Sequence, residues 1–253
     1  MNPFRWIGRR LAAYLSRPRD TAHVMTHHPE RLAATLKKGD VLLIEGTSRF
    51  STAIRYITQS TWSHAALCIG DAPGANGDPL AKCLIEADIN EGVRVMPLAF
   101  YTNWHTRICR PVGLSDAEID ALVQYATDRI GNQYDLRNVF DLARYLVRTP
   151  PVPDRYKRRL LSIGSGDPTR AICSSLIAAA FGSVRYPVLP DVEIARARGE
   201  HGAWHEREIL HIRDSSLYAP RDFDVSPYFR VVKPSLQDGF DPHTLSWARA
   251  DTG

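Results

Sequence analysis

The sequence predicts an α+β fold, an antiparallel β-sheet of about five strands packed against a helix that bears a cysteine. Three observations predict it. The runs "KCLIEAD" (82–88), "GVRVMPL" (92–98) and "TRICRPV" (106–112) read as short strands, the first two joined by a tight connection holding Asn90 and Gly92, which makes an antiparallel meander. Ser115 followed by Glu118 forms a capping box that opens a helix whose stripe Ile119, Leu122, Val123, Ala126 and Ile130 ends at Gly131. The Ala- and Ser-rich run "AICSSLIAAAFG" (171–182) follows a loop with Gly164, Gly166 and Pro168 and reads as a helix closed by Gly182, with Cys173 in its first turn.

Taken in order, the chain opens with residues 1–36, an N-terminal helical arm. Phe4, Ile7, Leu11, Tyr14 and Leu15 share one helical face, with Arg5, Arg9 and Arg10 among the intervening positions. Only six residues separate Arg10 from Arg17, too few for the apolar core of an export signal, and no run reaches the roughly eighteen apolar residues of a membrane span. The arm is expected to pack on its own protein, with weak contact to a membrane surface as the other reading. A cytoplasmic chain, at most peripheral to the membrane, is the matching expectation. Next, "KKGDVLLIEG" (37–46) reads as a turn into a buried strand, and Phe50, Ala53, Ile54 and Ile57 form a helical stripe in 48–60. A further strand, "SHAALCIG" (63–70), follows. Beyond the capped helix a second one is expected over 136–147, stopped by "RTPPVP"; "RYKRRLL" (155–161) reads as a solvated basic face. Residues 37–182 would form the core, and 183–253, rich in Pro and charge, a C-terminal segment wrapping the same domain.

Bulk properties exclude little but are informative. The 253 residues, 44% hydrophobic, suffice for one well-packed domain. A net charge of +4, from 32 Lys and Arg against 28 Asp and Glu, makes no demand for a nucleic-acid partner. Cys68, Cys83, Cys109 and Cys173 lie far apart without a CxxC pair, which fits reduced thiols.

Three residues stand out against these elements. His64 alternates with Ala66 and Cys68, so it sits on a strand face lined by small residues with room for a partner. Taken alone, a strand histidine is ordinarily a satisfied core residue. Glu86 interrupts an otherwise apolar strand, where a carboxylate is costly unless paired. Cys173 at a helix start feels the positive end of the helix dipole, which favours thiolate. A thiol nucleophile needs a base, and the base a group that holds its tautomer; one joint explanation covers all three oddities.

The ordered set "KKGDVLLIEG", "SHAALCIG", "IEA", "GNQYD" and "ICSSLI" resembles the circularly permuted papain-like, NlpC-related cysteine hydrolases of bacteria, distantly akin to lecithin:retinol acyltransferase-like enzymes. In that group the histidine strand precedes the cysteine helix. The likeness spans about residues 37–182, and "YAPRDFDVSPYFRVVKP" (218–234) also resembles a C-terminal segment of some members. What the resemblance implies is a permuted papain-like (NlpC-type) core, with Cys173 as nucleophile, His64 as base and Glu86 as the residue orienting the imidazole. Trp62, Ser63 and Tyr134 are candidate substrate-binding residues, the first two bordering His64 and the third in "GNQYD", where it would add a hydroxyl or simply plug a helix end.

The reading that follows is a thiol-dependent hydrolase cleaving an amide of a peptide or amino-acid conjugate, such as one derived from the cell wall, through a thioester intermediate on cysteine. An acyltransferase or lipid hydrolase would use the same chemistry, and a non-catalytic binding module would keep the fold without it. The expected partner is a peptide or acyl small molecule; no cofactor and no metal are expected. "HGAWHEREILH" (201–211) offers His201, His205 and His211 but lacks the second histidine of HExxH.

Overall fold

The computed structural model describes residues 28–72, 78–88, 91–132, 172–198 and 204–237, together with 241 and 243. The expected helices over 1–20 and 136–147, the basic run 155–161 and the loop before Cys173 lie outside the described residues. Among those described, the chain builds a six-stranded antiparallel sheet and a separate two-stranded hairpin.

Helix α1 (Pro29–Thr35) starts with proline, whose fixed φ suits a first turn. It leads through a turn at Gly39, whose φ of +87° is the left-handed region that glycine enters freely, into β1 (Val41–Ile44). Asp40, at the strand entrance, is buried and takes a two-pronged grip from Arg110, Nε to Oδ1 at 2.8 Å and Nη2 to Oδ2 at 2.7 Å. Helix α2 (Arg49–Thr58) is capped by Ser48, whose Oγ accepts from the Ser51 N–H. Then come β2 (His64–Asp71), β3 (Lys82–Asp88), β4 (Gly92–Pro97) and β5 (Thr106–Pro111). Helix α3 (Asp116–Thr127) carries the expected capping box, Ser115 and Glu118 each accepting from the other's backbone N–H. The cysteine helix is α4 (Ile172–Ser183).

The spatial order is β4-β3-β2-β1-β5, with a sixth strand, β8 (Phe229–Val232), beyond β5. The sixth strand is what the expectation of about five lacked: a four-residue run inside a Pro- and charge-rich segment, pairing Ile108 with Val232 and Pro111 with Phe229. Between β6 (Asp191–Arg198) and β7 (Trp204–His211), which form the hairpin, and β8 lies the short helix α5 (Pro220–Val225).

Alternation sorts the sheet into two cores. Val41, Leu43, Ala65, Leu67, Ile85 and Ala87 pack under α3 and α4 with Leu122, Ile177 and Phe181. Leu42, Ile44, Ala66, Cys68 and Leu84 face the other way, covered by Leu32 and Leu36 around α1 and by Leu98 and Tyr101.

Two helix ends differ from expectation. Helix α3 stops at Thr127, and Ile130, assigned to its apolar stripe, is 44% exposed; the chain turns there, and Gly131 at φ +86° donates its N–H to the Val93 carbonyl at the start of β4. Gly182 lies inside α4 instead of closing it, and the left-handed residue after that helix is Arg185, at φ +55°.

Candidate active site

The end of β1 and the start of β2 are clamped together. Ile44 pairs with His64, the Ser63 N–H donates to the Ile44 carbonyl, and the Ser63 hydroxyl accepts from the Gly46 N–H at 2.8 Å. His64 is thereby fixed at the very first residue of its strand, with its ring partly open to solvent.

Its Nε2 lies 2.7 Å from Glu86 Oε2. Glu86 is 1% exposed and collects three partners. Arg94, directly opposite in the β3–β4 register, donates Nε to Oε1 at 2.8 Å and brings Nη2 to 2.7 Å from the same oxygen. The Tyr101 hydroxyl donates to Oε2, the oxygen that His64 uses. Burial alone would raise the Glu86 pKa, but the His64 charge and the hydrogen bonds from His64, Tyr101 and Arg94 overcome it and bring it down to about 2. Burial and the neighbouring carboxylate push the Tyr101 phenol up, so it remains a donor.

Cys173 stands in the first turn of α4, buried, and hydrogen-bonds to His64. With Nε2 held by Glu86, the ring nitrogen left for the sulfur is Nδ1. Burial works against the His64 cation; the negative charges of Cys173 and Glu86 and their hydrogen bonds prevail, holding its pKa well above the ordinary value. The site is therefore a cysteine, an imidazole and a carboxylate in series, suited to moving a proton off sulfur and keeping it on the ring.

The meeting place differs from a simple helix-over-sheet picture. Alternation puts His64 and Glu86 on the face of Ala66 and Leu84, whereas α4 packs over Ala65, Leu67, Ile85 and Ala87. The helix start overhangs the end of the strands, and the three side chains join at the sheet's rim. A cleft of about 250 Å³ opens there, drawing its lining from both faces: Ser63, Ala87 and Cys173 from one, Ile44, Glu86, Tyr101 and Trp104 from the other.

Of the candidate binding residues, Ser63 lines this cleft, although its hydroxyl is engaged with Gly46. Trp62 does not line it. It lies two residues before His64, ahead of the first residue of the strand, and packs into the core under α3 and α4, where it is 2% exposed, donates Nε1–H to Asp224 at 3.0 Å and carries Arg107 over its ring. Tyr134 lies outside the described residues. Two members of the site, Arg94 and Tyr101, escaped the sequence reading. Arg94 had a signal: a hairpin centred on residue 90 pairs 86 with 94. Tyr101, delivered by the turn after β4, had none.

Other features stay apart from the cleft. The Cys68 and Cys109 thiols are fully buried and pushed up by that burial, Cys68 to about 12. His211 pairs with Glu193 on the exposed hairpin; His201 and the His205 side chain lie outside the described residues, and among the described residues no three His, Cys, Asp or Glu are grouped to hold a metal ion. Among them, too, no helix is long and apolar enough to cross a membrane.

Comparison with known proteins bears on the same elements. Residues 35–145 match the model of a family described as permuted papain-like amidase enzyme, YaeF/YiiX, C92 family, a span that holds the His64 and Glu86 strands and ends before the Cys173 helix. No curated protein matches the chain. A solved structure, that of the metalloprotein YiiX from Escherichia coli O157:H7, is 16% identical over 78% of this chain and 96% of its own, with a TM-score of 0.45. The family match falls on the strands that open this α+β core, and over those residues the chain is similar to the permuted papain-like amidases.

Proposed function

We propose that the protein hydrolyses an amide bond of a peptide or amino-acid conjugate through a thioester on Cys173. One observation supports this above the rest: His64 sits between Cys173 and a carboxylate fixed by three donors.

In this reading His64 Nδ1 takes the proton of Cys173, and the thiolate attacks the amide carbonyl carbon. The negative charge that develops on the carbonyl oxygen is met by the Cys173 backbone N–H, one of the helix-start donors that have no partner within a helix. The imidazolium then protonates the departing amine as the C–N bond breaks, leaving the acyl group on sulfur. Water, deprotonated by the now neutral His64, attacks the thioester; the acid departs and the thiol is restored. Glu86 remains ionised throughout and holds the ring with Nδ1 toward the sulfur. Arg94 and Tyr101 act through Glu86, as positioning residues.

Incubation with a pool of peptide amides and N-acyl amino acids, quenched in acid to preserve thioesters and mapped by mass, tests the reading. It expects an acyl adduct on Cys173 and none in Cys173→Ser. Amide hydrolysis that persists in Cys173→Ser would refute it.

A further inference from the structure

Cys173 and His64 belong to elements that meet at the rim of the sheet, one at the start of α4 and the other at the first residue of β2. The C-terminal segment ties to the chain beside each of them. The hydroxyl of Ser174, the fully buried residue after Cys173, donates to the Tyr218 carbonyl at 2.6 Å. Further along the same segment, Asp224 Oδ2 accepts at 3.0 Å from the indole N–H of Trp62, two residues before His64.

Between these two anchors the segment is held stiffly. Pro220 opens α5 with its fixed φ, the Asp222 carboxylate accepts from the Ala219 N–H at 2.9 Å, and Phe223 is fully buried against Phe181 of α4 and Phe229 of β8, with ring centroids 6.3 and 5.6 Å away. At the Asp224 end the grip is charged: Arg107 Nη1 lies 2.6 and 2.8 Å from the two carboxylate oxygens, and its guanidinium covers the Trp62 ring 4.9 Å from the centroid. A carboxylate in the last turn of a helix opposes the helix dipole, so the place of Asp224 is decided by Trp62 and Arg107 on other elements. Without Asp224 the indole N–H of buried Trp62 would lose its acceptor.

We propose that residues 218–224 form a brace that sets how closely His64 approaches Cys173, and that Asp224 is a positioning residue of the reaction, acting through Trp62. This rests on the Cys173–His64 chemistry proposed above and adds the C-terminal segment to the parts that chemistry requires. The lever is short. Trp62 and His64 flank Ser63, whose N–H and hydroxyl hold the end of β1, so an indole released from its anchor turns the backbone from which the imidazole hangs. A displacement of about 1 Å between reacting groups costs on the order of 10²-fold in rate.

The test reads the pair without a substrate. Iodoacetamide alkylation of Cys173 at neutral pH is followed by mass mapping and divided by the rate with N-acetylcysteine, and the His64 imidazole is titrated by NMR of histidine-labelled protein. The ring is faced by Cys173, Glu86 and Tyr101, and the charges of the first two hold its pKa well above 6.5. Asp224→Ala is expected to slow the alkylation at least about tenfold and to bring the His64 midpoint down toward 6.5, because a receding ring loses the charge of Cys173. Asp224→Asn, which keeps an oxygen for the indole N–H, is expected to stand between wild type and Asp224→Ala. Trp62→Phe, whose ring is too short to reach Asp224, is expected to shift both readings in the same direction. A lowered Tm by itself moves neither, and where Asp224→Ala does not unfold cooperatively, Trp62→Phe and Asp224→Asn decide. Both readings unchanged in folded Asp224→Ala, or in Trp62→Phe, overturn this proposal alone. Wild-type Cys173 no faster than N-acetylcysteine, with His64 titrating at or below 6.5, overturns the Cys173–His64 pair and this proposal with it.

Discussion

His64 Nε2 lies 2.7 Å from Glu86 Oε2, tying the first residue of β2 to the interior of β3, with Arg94 and Tyr101 gripping the same carboxylate from behind. The imidazole is therefore oriented by a group that is itself immobile, which decides how the site responds to pH.

Glu86, with its pKa down at about 2, stays ionised across the working range and contributes no limb to a pH–rate profile. His64 must carry its proton to protect the thiolate, and its raised pKa places the alkaline limb well above 6.5. Glu86→Gln removes one of the two negative neighbours that raise it. The alkaline limb of kcat/KM is expected to move to lower pH, with a loss on the order of 10- to 100-fold at the optimum.

The same network sets acid stability. A carboxyl whose folded pKa lies below its unfolded value of 4.5 contributes stability that is present above pH 4.5 and lost as pH falls through the folded value of about 2. Urea denaturation between pH 6 and pH 3 is expected to show a shallower decline in Glu86→Gln than in wild type. Glu86→Ala, which leaves half-buried Arg94 with Glu91 and Asp88 alone and removes the acceptor of the buried Tyr101 hydroxyl, is expected to cost about 1–3 kcal/mol at neutral pH.

Thiol reactivity separates the four cysteines. Iodoacetamide near neutral pH is expected to label Cys173 first, since it alone hydrogen-bonds to a histidine and lines the cleft. Cys68 and Cys109, fully buried and with raised pKa values, are expected to react only on unfolding. Mass mapping that finds Cys109 labelled first would place the reactive thiol elsewhere.

Gly46 is expected to resist substitution. A Cβ there would press on Ser51 Oγ and come within 2.9 Å of Ser63 Oγ, the atom that ties the β1 end to the His64 strand. Gly46→Ala is expected to cost about 1–3 kcal/mol and to lower activity by displacing His64. Ser51→Ala in the same chain, by removing one of the two crowding hydroxyls, is expected to restore part of the stability in thermal denaturation.

How far the sequence speaks can be read from these residues. The His64 strand, the hairpin around Asn90 and the Ser115 helix were legible because alternation, a turn dipeptide region and a capping box are local signals. Glu86 was legible as an anomaly, an acid where the pattern asks for carbon. Tyr101 was not, because a phenol contributed by a turn obeys no period. Trp62 was misread because residues 62 and 63 precede the strand, so its alternation does not extend back to them, and Trp62 turns into the core beneath the helices. The hairpin of β6 and β7 and the strand β8 were hidden in a segment whose prolines and charges read as loop, and their pairing is decided by tertiary contact.

The central claim is that His64 makes Cys173 a nucleophile. Its most direct test is the rate at which Cys173 is acylated in a single turnover, measured by acid quench and mass mapping in wild type and in His64→Ala. The account predicts a fall on the order of 10³-fold or more in the variant, the usual cost of losing an activating base. Acylation of Cys173 at an unchanged rate in His64→Ala would contradict it, and would leave His64 as a strand residue paired with Glu86 for structure alone.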